Sequence, residues 1–147
     1  MKICFDMDGT IADFYNVPNW LTTLRAYSTE PYRAAAVLGN ASQLARLLNK
    51  VRAKGYEIMI ISWSSKESTP EFDLEVAAAK CEWLAKHFPS VRWNNIAVTP
   101  YGVDKFITAG SESDAILFDD NEMIRNAWGG KAYSPEQIVD ILKSLVK

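Results

Sequence analysis

The stretch Lys2-Ile3-Cys4-Phe5-Asp6-Met7-Asp8-Gly9-Thr10 constrains the fold more than any other part of the chain. The apolar run Ile3 to Phe5 is long enough for a buried strand and too short for a helix. Carboxylates follow at once. Strand alternation places Asp6 and Asp8 on one side of the chain, and Gly9 lets the backbone turn away tightly. Two such charges about 4 Å apart repel by ~4 kcal/mol at an effective dielectric of about 20. A metal ion or a shared proton relieves that repulsion, which gives a chemical reason for the pair. An ordinary Asp-Gly turn is the alternative. A second acidic pair weighs against it, because Ala115-Ile116-Leu117-Phe118-Asp119-Asp120-Asn121 repeats the same grammar of apolar run, carboxylates and helix. In a parallel sheet two such strands end at one edge, so their acidic tips can converge.

With both pairs in view the chain resembles the haloacid dehalogenase superfamily, a large group dominated by magnesium-dependent phosphatases. Asp6-Met7-Asp8-Gly9-Thr10 is similar to that family's first motif, Asp-x-Asp-Gly-Thr/Val. Ser62 follows the apolar run Tyr56 to Ile61 and resembles the second motif. In that motif a hydroxyl and the next backbone N–H, here that of Trp63, hold phosphate; Ser64 is the alternative, because strand ends are hard to place. Lys105 resembles the third motif and Asp119-Asp120 the fourth, and the parts arrive in the family's order. The resemblance implies a three-layer, Rossmann-like α/β fold, with a mostly parallel sheet and helices on both faces. It implies one domain over residues 1–147, with a small insertion at 11–39 that is too short for a full cap. It also implies roles. Asp6 is the nucleophile that becomes an aspartyl-phosphate, and Asp8 is the general acid and then the base. Mg²⁺ is held by Asp6, the backbone carbonyl of Asp8 and Asp119. Asp120 orients the metal shell through water or replaces Asp119 as ligand. Ser62 and Lys105 clamp the phosphate oxygens, with Thr10 at the substrate end.

Apart from any family, the alternation of strand and helix patterns puts a site at the C-terminal edge of an open sheet. The insertion is rich in aromatics (Phe14, Tyr15, Trp20, Tyr27, Tyr32) and broken by Pro18 and Pro31, so short helices and turns are expected there. The favoured reading packs these rings as a satellite cluster; the other stacks Phe14, Tyr15 or Trp20 on a substrate ring. Helical spacing predicts a helix over 41–54 and a long one from Pro70 to Phe88, the latter striped by Leu74, Ala77, Ala78, Cys81, Leu84 and Phe88. Further strands are predicted at Tyr56 to Ile61, Asn95 to Val98 and Ala132-Tyr133. Short helices are predicted at Phe106 to Ala109 and Asn121 to Trp128, and Ser134-Pro135-Glu136-Gln137 opens a last helix. His87, the only histidine, has no partner suggested by sequence and reads as structural. That sets aside a histidine-based phosphatase.

A net charge of −2 and 48% hydrophobic residues describe an ordinary soluble globule. No basic patch suits a nucleic-acid backbone, which disfavours that partner. No apolar run has the length of a secretory signal or a membrane span. Cys4 and Cys81 read as small core residues, so a reducing, cytoplasmic setting is expected. The implied substrate is a small phosphorylated molecule. A nucleoside monophosphate comes first, because the short aromatic insertion resembles that of nucleotidase-like relatives. A sugar phosphate is equally allowed, particularly if a neighbouring subunit of a homo-oligomer supplies a lid. An open site also admits a nucleic-acid end or a phosphoprotein. The alternative from another class is a non-catalytic phosphate-sensing domain or a receiver, which an intact Asp-x-Asp-Gly-Thr on the first strand disfavours.

Overall fold

Short apolar runs, each closed by polar or turn residues, build a parallel sheet, and the longer periodic segments cover it. The computed structural model describes residues 1–147. In chain order the elements are β1 (Lys2–Phe5), β2 (Ala12–Asp13), α1 (Trp20–Arg25), α2 (Glu30–Ala34), β3 (Ala36–Val37), α3 (Ala41–Ala53) and β4 (Glu57–Trp63). Then follow α4 (Pro70–His87), β5 (Asn95–Thr99), α5 (Lys105–Thr108), β6 (Ile116–Phe118), α6 (Glu122–Ala127), β7 (Lys131–Tyr133), a 3₁₀ turn at Pro135–Gln137 and α7 (Ile138–Leu145). The five-stranded sheet has the order β5-β4-β1-β6-β7, with every neighbouring pair parallel.

Alternation along the strands sorts side chains into two cores. Ile3, Phe5, Ile58, Ile60, Ile116 and Phe118 face α3, α7 and the Trp83–Leu84 end of α4. Cys4, Met59, Ile61 and Leu117 face the other way, against Ala109 and Trp128. Strands buried on both faces have no polar side to show, which is why their sequences read as unbroken apolar runs. This is the three-layer α/β architecture expected from the sequence, and no helix is long and apolar enough to cross a membrane.

Three expectations need correction. The buried face of α4 carries Phe72, Val76, Ala79, Lys80, Trp83 and Leu84, while Leu74 is 75% exposed. A hydrophobic count cannot place a stripe whose buried face is centred on a lysine, so the expected stripe is right at Leu84 and Phe88, both buried, and wrong at Leu74, Ala78 and Cys81, all exposed. Cys81 is therefore exposed, whereas Cys4 is buried as expected. Finally, β4 runs on to Trp63 instead of ending at Ile61, because β5 pairs with it up to Trp63 opposite Thr99. That shift decides where Ser62 points.

Residues 11–39 form an antiparallel β2–β3 pair enclosing α1 and α2. Phe14, Leu24 and Tyr32 pack with Phe72, Val76 and Ala79 of α4 in a satellite cluster. Tyr15 stays 52% exposed.

Candidate active site

The register of the sheet builds the site. Cys4 pairs with Leu117 and Phe5 with Phe118, so the next residues, Asp6 and Asp119, emerge side by side. Asp6 N–H still donates to Phe118 O at 2.9 Å, and Asp119 N–H donates to Tyr133 O at 3.1 Å, which holds both tips at the sheet edge. Beyond Asp6 the chain turns sharply: Thr10, Ile11 and Ala12 N–H all donate to Met7 O. Gly9 permits that turn at φ +80°, and a Cβ there would lie 2.3 Å from Asp120 Oδ2. Glycine is required on both counts.

Asp6, Asp119 and Lys105 are buried, and Asp120 is exposed. One oxygen from each of Asp6, Asp119 and Asp120 lies within 4.8 Å of the others. Lys105 Nζ donates to Asp6 Oδ1 at 3.0 Å and to Asp119 Oδ2 at 2.8 Å. Three carboxyl groups face one ammonium, so acidic groups outnumber the cation, and every donor is a hard oxygen. That donor set fits a magnesium ion. Thr10 Oγ1 donates to Asp6 Oδ2 at 3.0 Å and accepts from Asp120 N–H at 3.2 Å, tying the two acidic loops together. Asn121 N–H donates to Asp119 Oδ1 at 2.9 Å and Arg125 to Asp119 O at 2.9 Å.

Asp8 lines the same cavity as Asp6 but is held separately, by Lys80 Nζ at 3.0 Å from Oδ2. Burial pushes its carboxyl above the ordinary range, against the opposing pull of Lys80. Burial and the Asp6 charge likewise raise Asp119, with Lys105 acting in the other direction. The cavity holds about 580 Å³. Aromatic rings from the insertion (Tyr15, Trp20, Tyr32) and from the sheet side (Trp63, Tyr101) form its walls.

Of the residues singled out from sequence, Asp6, Asp8, Lys105, Asp119, Asp120 and Trp63 all line this cavity, and Thr10 bonds to two of them. Ser62 does not reach it. Alternation turns its side chain to the α4 face, where its hydroxyl meets Lys80 Nζ at 2.6 Å and is buried. Ser64 lines the cavity instead, its hydroxyl donating to Asp73 at 2.5 Å. Trp63 faces the opposite way from Ser62 and lies beneath Lys105, whose Nζ is 5.3 Å from the ring centroid. The His87 ring packs against that of Trp83, tilted by 45° with centroids 4.7 Å apart, and is absent from the cavity wall, in keeping with a structural role. Lys80 is the residue that sequence reading missed. Its only signal is a lysine at helical spacing with Phe72, Val76 and Trp83, which matters only once the buried face of α4 is known.

Asp120 carries a pH prediction. Partial desolvation of its carboxyl at the mouth of the cavity, then the charge of Asp6 and a hydrogen bond with that residue, raise the pKa from 3.8 to about 7, although Asp120 as a whole is exposed. The folded state therefore holds a proton there that the unfolded chain has released above pH 4. Stability of the metal-free protein falls as pH rises from about 4 to 7. Water screens an exposed group, so the effect is modest. The melting temperature in EDTA should drop between pH 5 and pH 8, and Asp120→Asn should flatten that drop. A melting temperature that rises over this window would exclude the repulsion argument.

No family model matches the sequence, and no curated protein matches it. Among solved structures, the D,D-heptose 1,7-bisphosphate phosphatase from Burkholderia thailandensis superposes on 88% of this chain and 74% of its own. The TM-score is 0.52 and the sequence identity 15%. The chain thus shares the Rossmann-like α/β fold of that phosphatase, the fold implied by its resemblance to the haloacid dehalogenase superfamily.

Proposed function

We infer that this chain is a magnesium-dependent phosphomonoester hydrolase of the haloacid dehalogenase type, working through an aspartyl-phosphate on Asp6. The observation that carries this reading is the division of labour between two carboxylates two residues apart. Asp6 lies in the acidic cluster beside Lys105, and Asp8 lies apart from it on Lys80. Pairs of titratable groups placed in different environments are what acid–base division needs.

Asp6 attacks phosphorus through a carboxylate oxygen. Its Oδ1 is oriented by Lys105 and its Oδ2 by Thr10. Asp8, kept protonated more readily than an ordinary aspartate, gives its proton to the leaving oxygen and then takes one from the hydrolytic water. Lys105 meets the phosphate charge, and Ser64, Ser65 and Lys66 line the cavity where its oxygens would rest. A magnesium ion on Asp6, Asp119 and Asp120, with the Asp8 carbonyl, would offset the repulsion between carboxylate and phosphate.

The aromatic walls favour a flat leaving group, so a nucleoside monophosphate is the first substrate to try; base stacking on such rings is worth ~1–3 kcal/mol per base. The fold relative acts on a sugar bisphosphate, which puts small sugar phosphates second. Phosphate release from a panel of nucleotides, sugar phosphates and an aryl phosphate tests both, with Mg²⁺ or with EDTA. Turnover only with Mg²⁺, greatest on nucleotides, is expected. Turnover unchanged by EDTA would overturn the metal assignment, and no turnover on any ester would favour a phosphate-sensing domain.

A further inference from the structure

We propose that Lys80 is a positioning residue for proton transfer, fixing one oxygen of Asp8 so that the other meets the leaving group. This rests on the phosphatase reading above. Lys80 lies in the middle of α4, on the face that packs against the sheet, and is fully buried. Each of its three ammonium protons has an acceptor: Asp8 Oδ2 at 3.0 Å, Ser62 Oγ at 2.6 Å and Trp63 O at 2.8 Å. The Tyr32 ring closes over Nζ at 4.7 Å from its centroid. With no donor to spare and no place on the cavity wall, Lys80 is not itself a phosphate ligand.

A packing role alone does not account for it. The positions around it on α4 are Val76, Ala79, Trp83 and Leu84, and an apolar residue would fill the same space without desolvating a charge. What Lys80 adds is a fixed carboxylate. Asp8 stands on a tight turn, and its side chain has three staggered positions to choose from. Tethering Oδ2 from beneath selects one of them, while Oδ1 has no protein donor. The two lysines of the site thus reach it from opposite faces of the sheet, Lys105 to the nucleophile and Lys80 to the acid. Ser62 and Tyr32 act through Lys80, one as an anchor and one as a cover.

In the first half-reaction the Asp6 Oδ–phosphorus bond forms as the bond to the leaving oxygen breaks, and the proton on Asp8 goes to that oxygen. In the second, water oxygen bonds to phosphorus, the aspartyl bond breaks, and a proton of that water returns to Asp8.

Leaving groups distinguish this from a structural role. 2,4-Dinitrophenolate departs without a proton, whereas a primary alkoxide does not. With Mg²⁺ present, Lys80→Met should lose roughly 10²-fold in kcat/KM on a primary alkyl phosphate, and under about threefold on 2,4-dinitrophenyl phosphate. In an Asp8→Asn background it should add no further loss on the alkyl ester. Equal losses on both esters, additive losses in the double variant, or no loss at all would each overturn the proposal. Should Lys80→Met fail to fold by circular dichroism, Ser62→Ala decides. A selective loss on the alkyl ester supports the anchor, and an unselective or absent one refutes it. A wild-type protein that hydrolyses neither ester overturns the phosphatase reading itself, and this proposal with it.

Discussion

Asp6→Asn is expected to remove phosphate release from every ester the protein accepts, by at least roughly 10⁴-fold, the scale on which loss of a covalent nucleophile acts. The amide has the shape of the carboxylate but cannot form an acyl phosphate. The protein should still fold, because Lys105 retains Asp119 at 2.8 Å and Thr10 can still bond the side-chain oxygen. Removing one of three clustered like charges also relieves repulsion in the metal-free state. The melting temperature in EDTA should therefore hold or rise while activity disappears. Stopped assays on an aryl phosphate, paired with thermal denaturation of the same preparation, check both halves. A variant keeping more than a tenth of wild-type turnover would show that another atom attacks phosphorus. A variant that unfolds would show that Asp6 is needed for structure as well.

The fold was legible because parallel strands buried on both faces leave an unmistakable trace in the sequence. Ile3–Phe5, Ile58–Ile61 and Ile116–Phe118 are such traces, and each is closed by polar residues at the same edge. The acidic tips were legible for the same reason, since register alone brings Asp6 beside Asp119. Where reading failed, the information was not local. The identity of the buried face of α4 depends on Lys80 finding Asp8, 72 residues away in sequence. Ser62 was misplaced by strand parity. Extending β4 by two residues keeps Ser62 inside the strand, and alternation then sends it to the opposite face from Trp63. The aromatics of the insertion divide between the two readings. Phe14 and Tyr32 join the satellite cluster, yet they also border the cavity, with Tyr15 and Trp20 beside them. Composition gives no means of separating those roles, because a ring that packs on one face can present the other to a ligand.

Lys105→Met should bring the largest loss of stability. Lys105 is 4% exposed and bonds two carboxylates that are themselves largely out of water. Burial alone would lower its pKa, but the charges of Asp6 and Asp119 outweigh that and hold it above the ordinary lysine value. It therefore stays protonated at the pH values of these measurements. Removing one partner of such a buried group leaves uncompensated charge, at about 3–5 kcal/mol. For a chain of this size that is a fall of roughly 6–20 °C in melting temperature at pH 8 in EDTA. The sign of the pH dependence follows from the same physics. Burial and the Asp6 charge already raise Asp119, and without the ammonium the opposing pull of Lys105 is lost, so its folded-state pKa rises further above the unfolded value. The deficit should then shrink as pH falls towards 5, where the Asp119 carboxyl takes up a proton more readily in the variant. Added Mg²⁺ should restore more of the melting temperature in the variant than it adds to the wild type, because it replaces a missing cation in one and joins an existing one in the other. A variant that melts with the wild type at pH 8, or that ignores both acid and Mg²⁺, would mean that the three carboxylates do not share the charge-dense centre on which the phosphatase reading depends.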